Sequence, residues 1–409
     1  MPHDRHEKSR AWFERALRVV PGGIYGHQSP ALLTRGHFPH FLESAHGCRI
    51  RDVDGNEYID FMCAYGPMVV GYGNAEVESA AAEQRARCDT GNLPSPVFVE
   101  LAERLVSLTP GSAWATFGKN GSDVCTWAIA IARKATGRDI VVKVDGAYHG
   151  VHDWCNAIRH GFLESDRAAI RSFPWNDLDA LSRLFADAPS AIAAVIITPF
   201  RHDVFADLEM AAPGFLEGVR EITERYGATM IVDDVRAGFR LHIGGSTQLW
   251  GVTPDLLAYS KALANGYPLS ALVGCERLRQ AAGEVFVTGS FFTQSVPLRA
   301  ALATLDVLEK TDAIARIDRA GRRFTDGLCA QAALANLEVT VSGPPAIPFM
   351  TFVGDTKFRM SRAFAGACAD HGVFLHPTHN WFVSAAHSDA DIDAALAATE
   401  PAFHAVAKR

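Results

Sequence analysis

The strongest constraint in this 409-residue chain is a set of short, unbroken apolar runs separated by helix-like stretches. Ile140–Val144, Ala193–Thr198, Ala228–Val232, Leu256–Tyr259 and Leu269–Val273 each carry four to six residues with no polar alternation. A strand that faces solvent on one side alternates, whereas a strand covered on both faces does not. Helical spacing at Ser122–Thr136 and 214–226 falls between these runs, so the pattern predicts a doubly covered, mostly parallel sheet in an α/β fold. An amphipathic helix is expected over 5–19, a hairpin turn at Asp52–Asn56, and helices at about 75–90 and 97–108. A long helical stretch follows over 296–335. Beyond Gly343-Pro344-Pro345, strands at 347–353, 373–376 and 381–385 and helices at 357–370 and 389–406 predict a smaller α+β domain. The boundaries drawn are 60–295 for the large domain and 1–59 plus 296–409 for the small one.

Composition narrows the function. Hydrophobic residues at 48% and charged residues at 21% are ordinary globular usage. A net charge of −7 argues against a nucleic-acid or anionic-membrane binder. No apolar run approaches the ~18–20 residues of a bilayer span, and the polar segment Met1–Arg10 shows no secretory signal. Eight scattered cysteines without a CxxC pair read as reduced thiols, which predicts a cytoplasmic location.

Four segments carry candidate chemistry. Asp233 ends an apolar strand, where open α/β sheets place their ligands; it is either a buried carboxylate awaiting a cation or a loop salt-bridge residue. Lys261 follows another such strand 28 residues later, and is either a surface lysine or a desolvated Schiff-base amine. Asn120-Gly121-Ser122 opens a helix whose backbone N–H groups suit a phosphate, with a plain Ser122 N-cap as the other reading. Tyr148-His149-Gly150 follows a strand, and its aromatic ring could stack on a flat cofactor. His149 and His152 lack a third ligand at metal spacing, so no metal is expected. Neither GxGxxG nor GxxxxGK[ST] is present, which disfavours a dehydrogenase or a P-loop enzyme. Phosphate anchor, ring stack, acidic partner and amine together point to pyridoxal 5'-phosphate (PLP).

In these segments the chain resembles a class III PLP-dependent aminotransferase of the glutamate-semialdehyde aminomutase-like branch. The resemblance rests, in order, on Asp52–Asp60, Gly66-Pro67…Gly71, Phe117–Asp123, Tyr148-His149-Gly150, Asp233–Arg240, Pro254-Asp255…Lys261…Gly266-Tyr267-Pro268 and Phe382–Asp393. It implies a fold type I PLP transferase that moves an amino group from an amino-acid donor to a carbonyl acceptor. The route is a Lys261 aldimine and a pyridoxamine phosphate intermediate. It further implies that Asp233 pairs with the pyridine nitrogen, that Val235 and Tyr148 cover the ring, and that Asn120, Gly121, Ser122 and His149 help bind the cofactor. Gly289-Ser290 matches a pair that reaches the phosphate from the neighbouring subunit, so a homodimer with a shared active site is expected.

The departures concern the substrate. Tyr25–Leu32 has no arginine where the aminomutase grips a carboxylate, Thr198 replaces an acidic residue before Pro199, Tyr65 replaces a tryptophan, and His379–Ser384 is shortened. These changes favour amino transfer over isomerisation. An aminomutase or racemase on the same scaffold is the alternative, and a non-catalytic PLP-binding subunit a remoter one. Arg35, Arg201, Arg236, His27, His376 and His379 are candidates to replace the missing arginine.

Overall fold

The apolar runs pair, in the computed structural model, into one seven-stranded sheet. Its strands are β1 (Trp114–Gly118), β2 (Ile140–Val144), β3 (Ile170–Phe173), β4 (Ile192–Ile197), β5 (Thr229–Asp233), β6 (Leu256–Tyr259) and β7 (Ser270–Gly274). Their spatial order is β1-β7-β6-β5-β4-β2-β3. All neighbours are parallel except those of β7, which runs antiparallel to β6 and β1. Every residue of β4, β5, β6 and β7 is buried, which is why these segments carry no polar alternation. The structure describes residues 5–158 and 160–408, so the first four residues of the polar N-terminal segment lie outside it.

β1 and β3 are absent from the sequence reading for a common reason: both are edge strands. β1 is interrupted by Thr116, and β3 carries Arg171 and Ser172 on exposed positions. The helix Leu178–Asp187 was also not anticipated.

The chain forms two compact units: Met1–Asn74 with Val204–Leu208 and Ala315–Arg409, and Ala75–Asp203 with Glu209–Ile314. The expected single helix over 296–335 is two helices, Ser295–Lys310 and Ala313–Leu334, broken at Asp312 with φ +48°. The first of them packs on Ala75–Arg87 and Val97–Leu108 and so stays with the large sheet's unit. That break displaces the domain edge from the drawn position near 295.

In the other unit, Leu42–His46, Arg49–Asp52, Glu57–Asp60 and Val373–Phe374 form a four-stranded sheet. The Asp52 carboxylate accepts from Asp54 N and Asn56 N at 3.0 and 2.8 Å and so closes the hairpin. Residues 381–385, expected as a strand, join no ladder, and Ala385 already lies in a turn. Trp381 and Val383 donate to Pro348 and Ala346, while Phe382 and Ala385 donate to Phe61 and Val69.

Cys63, Ala64 and Tyr65 are three successive non-glycine residues with φ of +46°, +53° and +64°. That conformation is costly for L-residues. The buried Asp60 carboxylate sustains it by accepting from Met62 N (2.8 Å), Cys63 N (3.0 Å) and Tyr72 Oη (2.7 Å). Removing this acceptor leaves buried donors unpaired, so Asp60→Ala is expected to lower unfolding free energy by about 3 kcal/mol, measured by urea denaturation.

Candidate active site

Loops leaving β1, β2, β4, β5 and β6 share one edge of the large sheet, because these five strands are mutually parallel. Asp233 is the last residue of β5 and is buried. Its Oδ2 accepts from His149 Nδ1 at 2.8 Å and its Oδ1 from Val235 N at 3.2 Å. A carboxylate only accepts, so the His149 proton sits on Nδ1. His149 stacks on Trp154 at 6.2 Å, and Trp154 Nε1 donates to Thr126 Oγ1 at 2.9 Å. His149 Nε2 is buried without a partner among the described residues. The adjacent Asp234 carboxylate turns away and accepts from Ser246 N at 2.8 Å; burial pushes its pKa up to about 7.

Lys261 stands two residues beyond β6, half-buried, with φ +43°. Burial, then the Arg236 guanidinium, then Arg240 bring its amine down to about 7, against the opposing pull of Asp233. Arg236 is buried too, and burial lowers it to about 10, although Asp233 and Tyr148 hold its charge. Tyr148 is about half exposed.

The helix Gly121–Thr136 begins after β1 with Asn120 in the N-cap position. Asp123 Oδ2 accepts from Lys119 N (3.0 Å) and Asn120 N (2.8 Å). The amides of Gly121 and Ser122 have no acceptor inside the helix, by position. Ser122 is therefore not the cap; its Oγ accepts from Val151 N at 3.2 Å. A Cβ on Gly121 would lie 2.9 Å from Val235 Cγ2, and one on Gly150, at φ +121°, would collide with Ser122. Ser290 lies on an exposed stretch with Phe286 and Phe291.

The structure thus brings Asp233, His149, Val235, Gly121, Ser122 and Lys261 to one sheet edge. His202, on the loop after β4, went unnoticed in the sequence; it is buried, and burial with the Arg236 charge lowers its pKa well below the usual histidine range. The signal was its place after a buried strand, the rule that found Asp233 and Lys261. His152 points away from His149, pairing its Nδ1 with Thr126 Oγ1 at 2.8 Å. Of the arginine candidates, Arg35 is exposed and Arg201 Nε is bound to Asp203 at 2.7 Å.

A near-neutral amine, a buried carboxylate fixed by histidine, and free helix-terminal amides fit a flat phosphorylated aldehyde with a basic ring nitrogen. The amine suits the aldehyde, the carboxylate the protonated ring, and the amides the phosphate.

Residues 33–400 match the family Aminotransferase class-III. The chain is 44% identical over 393 residues to the aminopentol aminotransferase of Sphingopyxis macrogoltabida, covering 96% of this chain and 93% of that protein. It is 36% identical over 390 residues to the 3-aminobutyryl-CoA aminotransferase of Cloacimonas acidaminovorans, covering 94% of each. Among solved structures, the PLP internal aldimine form of the FumI protein of Sphingopyxis sp. MTA144 superimposes with a TM-score of 0.96. Its identity is 43%, over 98% of this chain and 96% of that one.

The charges around Lys261 give a signed prediction. Removing the Arg236 cation in Arg236→Gln raises the Lys261 midpoint above about 7. Acylation of Lys261 in cofactor-free protein at pH 7, followed by mass spectrometry, then slows roughly fivefold for a rise of one pH unit.

Proposed function

Because the chain belongs to the class III aminotransferase family, we propose that its sheet-edge residues move an amino group from an amino-acid donor to a carbonyl acceptor with bound PLP. The observation that carries the reading is the buried Asp233–His149 pair, 2.8 Å apart at the end of β5, with Lys261 just beyond the end of the neighbouring parallel strand β6. When bound, the cofactor supplies an aldehyde that condenses with amines and a ring that withdraws electrons from the neighbouring carbon.

Lys261 Nζ takes two roles, as the group that holds the aldehyde carbon and as the base that carries a proton between substrate carbon and cofactor carbon. Both need an unprotonated amine near neutral pH, which burial and the Arg236 charge provide. Asp233 keeps a proton on the pyridine nitrogen. His149, donating to Asp233 Oδ2, is a positioning residue that fixes which carboxylate oxygen remains turned to the ring. Val235 packs on one ring face and Tyr148 on the other. The amides of Gly121 and Ser122, with Asn120, hold the phosphate.

Ser290 reaches the same phosphate from the neighbouring subunit, which makes a homodimer with shared sites the working assembly. Its exposure, beside Phe286 at 89% and Phe291 at 59%, supports a segment that a second copy covers. Eight unpaired cysteines support a reducing, cytoplasmic location, and no helix among the described residues is long and apolar enough to cross a membrane.

Lys261→Ala tests the core of the reading. With glutamate or alanine as donor, the absorption band of the wild-type cofactor is expected to convert, and the variant to lose turnover by roughly a thousandfold or more. An unresponsive wild-type band with every donor overturns the assignment. Ser290→Ala is expected to weaken PLP affinity about tenfold, by equilibrium titration, while sedimentation still reports a dimer.

A further inference from the structure

The run Ile140–Val144 is apolar except for Lys143, which stands on an inner strand beside Ile196 of β4 and Ser172 of β3. An ammonium is costly there. Burial lowers its pKa, although Cys155, Asp145 and Asp203 oppose the shift. A lysine kept in that position needs hydrogen-bond partners, and the backbone supplies them. Nζ donates to the Val144 carbonyl at 3.2 Å and to the Ala147 carbonyl at 3.0 Å. Bonds from a charged donor are roughly twice as strong as neutral ones, so a cation grips these carbonyls as a neutral side chain would not.

The two carbonyls are the ends of one turn. Ala147 N donates to Val144 O at 3.2 Å, and Gly146 sits at φ +74°. Other sides of the turn are held as well. Asp145 N donates to Phe173 O at 2.9 Å. A Cβ on Gly146 would lie 3.1 Å from Asp203 Oδ2, which Arg201 Nε binds at 2.7 Å.

A peptide group is planar, so holding the Ala147 carbonyl also fixes the Tyr148 amide and the direction in which the chain leaves the turn. The next two side chains are Tyr148 and His149, and His149 Nδ1 meets Asp233 Oδ2 at 2.8 Å. His149 Nε2 has no partner among the described residues, so no second hydrogen bond steadies the ring. Its aim falls to the Trp154 stack and to the backbone that carries it. Hydrogen bonds weaken steeply off their axis, so the His149–Asp233 bond depends on that exit direction.

We propose that Lys143 is a positioning residue of the site: its ammonium locks the turn Val144–Ala147, and through the Ala147–Tyr148 peptide it sets the Tyr148 ring and the His149–Asp233 bond. The proposal rests on the aminotransferase reading above for what the site does, and on the turn alone for what Lys143 holds.

Hydrogen exchange on cofactor-free protein reads the turn directly. Lys143→Met keeps the apolar stem and removes the donors. The hydrogen-bonded amides of Ala147 and Val151 are then expected to exchange about tenfold faster, with those of β5 unchanged. In the holoenzyme the same variant is expected to bind PLP about tenfold more weakly, by equilibrium titration, and to lose about tenfold in kcat/KM. If Lys143 acts through the loop, removing His149 first removes most of that loss. In a His149→Phe background Lys143→Met is therefore expected to cost less than about threefold. Lys143→Gln keeps an N–H donor without the charge; it is expected to fall between wild type and Lys143→Met, and it carries the same comparisons if the methionine variant does not fold. Equal acceleration at β5, an unchanged PLP affinity, or the full loss in the His149→Phe background overturns the proposal and leaves Lys143 a support of the sheet. A wild type that binds no PLP, or whose band no donor converts, overturns the aminotransferase reading instead, while the exchange comparison still decides what Lys143 holds.

Discussion

A carboxylate at the buried end of β5 sets the terms for the site around it. Asp233 cannot remain charged there without donors and cations, and the loops after β2 and β5 are arranged to supply them. His149 donates from the β2 loop, and the Arg236 charge acts on Asp233 from the loop that follows it. His149 in turn is held by Trp154, whose indole bonds Thr126 on the helix Gly121–Thr136. The same helix binds the β2 loop a second time, through Ser122 and Val151. One buried charge therefore ties the end of β5, the β2 loop and the helix Gly121–Thr136 into a single hydrogen-bonded unit. Gly150 is forced by that closeness, since any side chain at φ +121° would also strike Ser122.

The depressed Lys261 amine is the electrostatic counterpart. A lone carboxylate nearby should raise a lysine, yet burial together with Arg236 and Arg240 outweighs it. The second carboxylate, Asp234, does not restore the balance. It is bonded to Ser246, and its own pKa is pushed up to about 7.

Most of the large sheet was legible because strands buried on both faces must be largely apolar, as β4 and β6 are and as β5 is between Thr229 and Asp233. β1 and β3 escaped because edge position relaxes that demand. The break at Asp312 escaped because both helices are regular, and a single left-handed residue has no periodicity to betray it. At the site, Asp233 and Lys261 could be named from strand ends alone, whereas the Asp233–His149 bond joins residues 84 apart in sequence and only folding reveals it. His202 sat in plain view after β4. The Cys63–Tyr65 turn was illegible, for its sequence, Cys-Ala-Tyr, contains no residue that favours positive φ.

That turn bears on how function divides along the chain. A cofactor is the same molecule in every turnover, so the residues that hold it answer to fixed demands for a cation, a carboxylate and amides, and their types can be read directly. Tyr65, one of the departures from the family pattern, answers instead to local geometry: Asp60 holds three successive residues in an unfavourable conformation, and what that delivers is the Tyr65 ring, edge-on to His27 and His379.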